Sequence, residues 1–268
     1  MSQNIEQSIR DLREMDELSS GDSPIHTVSA GAKLLVTVVY ILAVVSFDKY
    51  RVSGLLFMIF YPAVLFAVSG IPVSTCLYKL RFVLPLVLAV GIFNPILDRQ
   101  PAFSIGSFTV TTGMISMLTL MMKGVFSLMA SFLLVATTRI EALCGALRKI
   151  HVPSVLVTLL LLTYRYAAVL AEEANVMTQA YSLRAPGQKG IHYSAWGSFL
   201  GQLLLRSMDR AEELYSSMLL RGYHGEFYYT QGRKSSASDY LYAALWCALF
   251  VAARCLNLTQ ILGSAVMR

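Results

Sequence analysis

Hydrophobic positions in the first half of this chain run in long blocks, too long for strands and for most helices of a soluble core. A bilayer core is about 30 Å thick and takes near 20 residues of helix. On that measure the blocks at about 32–47, 52–70, 82–97, 113–136 and 239–256 predict five membrane-spanning helices. A further apolar stretch, 153–171 (PSVLVTLLLLTYRYAAVLA), holds Arg165 and runs directly into Glu172 and Glu173, so it reads either as a sixth crossing or as a segment that does not cross completely. Asn94-Pro95, followed at once by Asp98 and Arg99, reads as the end of the third span, because proline removes a backbone donor and disfavours the helical region at the residue before it.

The pattern changes at 139–150 and 172–238, where polarity is mixed and apolar residues recur at helical spacing. Residues 172–184 predict a helix whose stripe, continued from the preceding stretch, carries Val169, Val176, Ala180 and Leu183; Pro186 and Gly187 stop it. Residues 199–221 predict a second, with Leu204, Met208, Ala211, Tyr215 and Met218 on one stripe and Arg206, Asp209, Arg210, Glu212 and Glu213 largely off it. Gly222 stands where a left-handed glycine would terminate it. Both helices end in leucine, arginine and a small residue: Leu183-Arg184-Ala185 and Leu220-Arg221-Gly222. The division that follows is an N-terminal segment 1–31, membrane helices over 32–138, an amphipathic region 139–238, and a last membrane helix with its tail, 239–268.

Composition agrees with a membrane protein. Hydrophobic residues make up 56% and charged residues 14% of 268, with a mean hydropathy of +0.58, whereas soluble domains carry about 45–50% apolar and about 25% charged residues. The net charge of +6 suits anionic lipid or an acidic protein, and this hydropathy argues against nucleic acid. Half of all Lys and Arg lie in 139–238, and Lys79 and Arg81 separate the second and third spans; the positive-inside rule puts both regions in the cytoplasm. Parity agrees when the N-terminus is inside and 153–171 does not cross fully, while Lys49 and Arg51 count mildly against that scheme. The acidic first twenty residues contain no basic n-region of a cleaved signal. Cys76, Cys144, Cys247 and Cys255 have no CxxC spacing and read as free thiols.

Chemistry-bearing motifs are few. There is no G-x-x-x-x-G-K-[ST] phosphate cradle, no H-E-x-x-H, no Cys/His zinc spacing for His26, His151, His192 and His224, and no G-x-S-x-G. The expectation is a protein that is not an enzyme and needs no cofactor or metal of its own. An arginine in a helix's last turn complements the negative end of the macrodipole. Two such ends on successive amphipathic helices also suit a partner that repeats, since a guanidinium fork can enter a groove and bond carboxylates or carbonyls there. The glycines Gly54, Gly70, Gly91, Gly113 and Gly124 and the methionines Met114, Met117, Met121, Met122 and Met129 suit close or adaptable helix contacts. Arg165 is expected at the cytoplasmic interface or paired with Glu172 or Glu173.

With these residues in hand, the chain resembles the T component of energy-coupling factor (ECF) transporters, in its cobalt-type CbiQ branch. The resemblance is carried by SGDSPIHTVSAGAKLL (20–35), LPLVLAVGIFNPIL (84–97), TRIEALCGALRKIHVPSVLVTLLLLTYRYAAVLAEEANVMTQA (138–180) and RSMDRAEELYSSMLLRGYHG (206–225). It implies an all-α fold, a polytopic membrane protein with about five to six membrane helices plus a cytoplasmic coupling region of amphipathic helices. It also implies a multi-pass place in the cell membrane, two ABC-type ATPase subunits and a substrate-binding membrane S component as partners, and uptake of a metal ion (cobalt or nickel) or a vitamin. In that family each of two coupling helices ends in Ala-Arg-Gly, whose arginine docks on one ATPase. Here the corresponding residues are Leu183, Arg184 and Ala185, and Leu220, Arg221 and Gly222: both arginines are kept, both alanines are leucine, and Ala185 replaces the first glycine. The rival reading is a self-contained secondary transporter or channel, which would place an ionisable residue or a broken helix at mid-membrane in paired halves.

Overall fold

The computed structural model describes residues 2–48, 52–81, 83–97, 101–105, 108–188, 190–225 and 236–255. Lys49, Arg51, Asp98 and Arg99, weighed above for topology or span ends, lie outside the described residues, as do Lys189, Arg233 and Lys234 of the basic 139–238 region. The helices in chain order are α1 (Ser2–Ser19), α2 (Pro24–Thr27), α3 (Ala30–Ser46), α4 (Val52–Phe57), α5 (Phe60–Ser69), α6 (Val73–Leu80) and α7 (Leu84–Leu97). A two-stranded antiparallel hairpin, β1 (Pro101–Ile105) and β2 (Phe108–Thr111), precedes α8 (Thr112–Ala136). Then follow α9 (Ile140–Lys149), α10 (Ser154–Arg184), α11 (Trp196–Leu220) and α12 (Ala237–Cys255). The fold is all-α apart from that hairpin. Its contacts divide it into two compact units, Ser19–Thr138 with Arg233–Arg268, and Met1–Leu18 with Arg139–Gly232.

In the first unit, α3 and α12 run parallel: the Ser29 amide at the head of α3 meets Asp239 at 3.3 Å, and at the other end Arg254 donates to the Ser46 carbonyl at 3.1 Å. Helix α8 runs antiparallel to α3, with Lys33 at its C-terminal Thr137 and Lys123 at the C-terminus of α3. Between them lies an aromatic core. Tyr40 stands 4.6 Å from Tyr61 and 5.2 Å from Phe250, centroid to centroid, and Trp246 packs edge-on to Tyr61 at 4.8 Å. Val36, Val44 and Leu55 complete the buried centre. Helix α7 lies antiparallel along the first half of α8, where glycines allow close approach: a Cβ added at Gly124 would stand 3.0 Å from Val87 Cγ1, and one at Gly91 3.3 Å from Met117 Cγ. Asn94 reaches Ser116 at 3.2 Å, so Asn94-Pro95 lies at the last turn of α7, at the end of the apolar block.

One expected span is divided. The block 52–70 forms α4 and α5, separated at Met58–Ile59, and Pro62 explains the break. Its missing N–H leaves the Met58 carbonyl without the helical donor four residues on; the buried Tyr40 hydroxyl donates to that carbonyl instead, at 2.9 Å. The block 82–97 is preceded by α6, and α6 and Leu84–Pro95 together make an apolar pair bent by 62°. Among the described residues, α8 and α10 are each long and apolar enough to cross a membrane, while Ala30–Ser46 and Gly54–Ser69 are shorter apolar helices.

In the second unit, 153–171 and 172–184 are one helix, the 31-residue α10. No glycine or proline occurs within it, so Arg165, Glu172 and Glu173 do not interrupt the backbone. Those carboxylates bind elsewhere: Glu172 pairs with Arg13 of α1 at 2.7 Å and Glu173 with Arg206 of α11. Arg165 is exposed and pairs with neither. Tyr164 donates to Asp16 at 2.6 Å, and Ile9 is buried, so the acidic N-terminal stretch is a helix laid on α10.

Candidate functional site

Three helices of the second unit end in exposed turns, and the local sequence dictates how each chain reversal is made. Helix α11 closes with a Schellman motif: Tyr223 N–H donates to Met218 O at 3.0 Å and Gly222 N–H to Leu219 O at 2.9 Å. Gly222 has φ +81°, as a residue at that position requires, and Arg221 is the helix cap immediately before it. Helix α9 closes in the same way, Val152 N–H to Leu147 O at 3.3 Å and His151 N–H to Arg148 O at 3.0 Å, with His151 at φ +67° in the place usually held by glycine.

Helix α10 cannot copy them. The residue at the left-handed position would be Pro186, which has a fixed negative φ and no N–H to donate. Ala185 instead closes the last α-turn by donating to Tyr181 O at 3.1 Å, and its carbonyl accepts from Gln188 N–H at 3.3 Å across Pro186 and Gly187 (φ +95°). Proline then positive-φ glycine at the two central positions is the signature of a type II turn. Two ends that look alike in sequence therefore differ in backbone: Arg184 is the last residue of its helix, and Arg221 is the cap residue of its own.

The two ends share what they present. Leu183 is 83% exposed and Leu220 90%. Arg184 and Arg221 are exposed, and neither guanidinium has a hydrogen bond or ion pair with the described residues. Ala185 is half-buried and Gly222 exposed. Behind the α10 end, Thr178, Tyr181, Ala185, Gln188 and Ile191 line a cavity of about 170 Å³, braced where Tyr181 Oη meets Gln188 Oε1 at 2.9 Å.

The apolar stripes are less covered than mutual packing would make them. Leu204, Met208, Ala211 and Tyr215 are exposed and Met218 half-buried, and no residue of α11 is fully buried. The half-buried line of α11 is Leu203, Ser207, Leu214 and Met218, displaced from the stripe that the periodicity selects. On α10, Val176, Ala180 and Leu183 are likewise exposed.

Two lysines escaped the sequence reading although both lie in or beside apolar blocks. Lys123, in the middle of α8, donates to the carbonyls of Val45 (3.0 Å) and Phe47, capping α3 together with Arg254. Lys33, at the head of α3, is buried. Their position inside apolar runs was the available signal, since an ionisable residue there needs a named partner. Cys76 and Cys144 are buried free thiols, and Cys247 is a partly buried one. Among the described residues no three His, Cys, Asp or Glu side chains gather as a metal site.

The relatives this chain matches point the same way. Residues 21–230 match the CbiQ family, described as cobalt transport protein. A nickel permease, LarQ of Lactiplantibacillus plantarum, is 30% identical over 39% of this chain and 38% of its own length; the cobalt transport protein CbiQ of Rhodobacter capsulatus is 36% identical over 35% and 38%. The chain thus spans well under half the length of these two. The energy-coupling factor transporter transmembrane protein EcfT of Clostridium kluyveri is 26% identical over 85% of this chain and 90% of its own. Fold and matches define a multi-pass protein of the cell membrane of the T-component type. The chain belongs to the CbiQ family.

Proposed function

We propose that this chain is the transmembrane coupling subunit of an ECF-type importer, with no catalysis of its own. Partner ABC-type ATPases supply the work, a separate membrane S component binds the substrate, and the substrate class is cobalt or nickel, as the names of the CbiQ and LarQ relatives suggest. The observation that carries this reading is the pair of projecting, unpartnered Leu-Arg ends of α10 and α11. Arg184 and Arg221 dock in grooves of the two ATPases, each flanked by an exposed leucine and a small residue, Ala185 or Gly222, that lets the groove wall come close. Nucleotide-driven closure moves the grooves, and a stiff helix follows where a loop would not. The 139–238 region then faces the cytoplasm, as its basic residues favour. Lys123 gives no support to a self-contained transporter, because its amine is already engaged in capping α3.

The test is reconstitution. The chain is placed in liposomes with ABC-type ATPases and an S component from its own organism, and uptake of radiolabelled cobalt and nickel is followed with and without ATP. Uptake that requires both ATP and all partners supports the proposal. Uptake by the chain alone refutes it.

A further inference from the structure

Lys33 is 4% exposed, and its amine donates to the Thr137 carbonyl at 2.7 Å and meets Thr138 Oγ1 at 3.4 Å. Thr137 is the cap of α8, and Arg139 after Thr138 is the N-cap of α9, so one ammonium holds the short joint between those helices. Asp239 is also 4% exposed. Its carboxylate accepts from Ser236 N–H at 2.9 Å, the return half of a capping box at the head of α12, and from Ser29 N–H at 3.3 Å at the head of α3.

Each charge sits where the helix ends want it. The cation lies at the C-terminus of α8 and the anion at the N-termini of α3 and α12. A buried charge without a partner is strongly disfavoured; the Lys33 amine is held by Thr137 and Thr138, and the Asp239 carboxylate by the Ser236 and Ser29 amides. Three helix ends are thereby joined at the point where the chain leaves one compact unit at Thr138.

We propose that Lys33 is a positioning residue which, with Asp239, clamps the ends of α3, α8 and α12 and so fixes the Thr137–Thr138 joint from which α9 departs. Its consequence for transport rests on the coupling role proposed above: a fixed root is needed if motion delivered to α10 and α11 is to act on the membrane helices rather than be absorbed at the joint. Substitution of the clamp uncouples, while the ATPase-docking ends stay intact.

Two readouts decide it. In the full-length chain in nanodiscs, Lys33→Met accelerates amide hydrogen exchange over residues 138–143 and 237–241 by about tenfold or more, Asp239→Asn does so to a smaller degree, and Lys33→Arg restores slow exchange. Unchanged exchange in Lys33→Met, or Lys33→Arg as fast as Lys33→Met, overturns the clamp. In the complex with both ATPases, Lys33→Met keeps ATPase binding and ATP hydrolysis but lowers uptake per ATP by about tenfold, and Lys33→Arg recovers it. Faster exchange with normal uptake per ATP overturns the positioning role. A wild-type chain that binds no ATPase refutes the coupling function alone, and the exchange readout still decides the clamp.

Discussion

Replacing Arg221 by alanine separates the two reasons an arginine can stand at a helix end. In the chain itself the guanidinium is exposed and bonded to nothing described, so its local role is to complement the α11 dipole, worth about 0.3–1 kcal/mol. That predicts a fall in melting temperature of at most about 2–4 °C for a chain of this size. Docked in an ATPase groove as a charge-assisted contact, the same side chain is worth about 2–5 kcal/mol on truncation. At tenfold per 1.4 kcal/mol, the dissociation constant for that ATPase rises by about 30-fold to about 4,000-fold. The assay is ATPase binding to the nanodisc-embedded chain by interferometry, with thermal unfolding followed in the same preparation. Arg184→Ala behaves likewise, the double variant is worse than either, and lysine rescues only in part because a point charge cannot replace a fork. Arg206→Ala reverses the pattern: its guanidinium is engaged with Glu173, so stability falls while affinity holds. If Arg184→Ala and Arg221→Ala leave the dissociation constants unchanged, the docking role is wrong and dipole capping is the whole explanation.

Three further outcomes follow from the packing. Gly124→Ala, whose methyl would meet Val87 Cγ1 at 3.0 Å, destabilises by about 1–3 kcal/mol in thermal unfolding, and Val87→Ala in the same chain restores most of the loss. Gly222→Ala at φ +81° loses about 1 kcal/mol, while His151→Gly at φ +67° is neutral or gains up to about 1 kcal/mol, both read by thermal unfolding. Burial, with a smaller contribution from the Glu141 charge, raises the Cys144 thiol above its ordinary pKa of 9.0. Its thiolate is therefore scarce at neutral pH, and maleimide labelling followed by mass spectrometry is slow there and climbs with pH without levelling off at that ordinary value.

The sequence exposed the elements better than their continuity. The 3.6-residue periodicity, the Pro186 stop and the Gly222 terminator locate the C-terminal ends of α10 and α11 to within a residue, because these are local choices of backbone. Charge at 165, 172 and 173 obscured the continuity of α10, although the absence of glycine and proline from Ser154 to Ala185 was the more telling signal. The partners of those carboxylates could not be read locally: Arg13 lies 159 residues from Glu172. Nor could Tyr40 be seen to supply the bond that Pro62 withholds from Met58, since that depends on tertiary packing. The likeness of the two Leu-Arg ends hid a backbone difference that one proline imposes, and the Schellman counterpart of the α11 end proved to be the end of α9.

The unbroken α10 has a mechanical meaning. At 1.5 Å per residue its 31 residues reach about 46 Å, the longest continuous helix among the described residues. Beside its first turn stands the tight corner made by His151 and Pro153, a natural fulcrum. About that fulcrum a tilt of only about 10° sweeps the far tip, at Arg184, through about 8 Å. Leverage of this kind works in both directions: a small displacement imposed near the corner is magnified at the tip, and a large stroke at the tip returns as a short, forceful one near the fulcrum. On the coupling role proposed above, such gearing matches the wide travel of closing ATPases to the small shifts that tightly packed membrane helices tolerate.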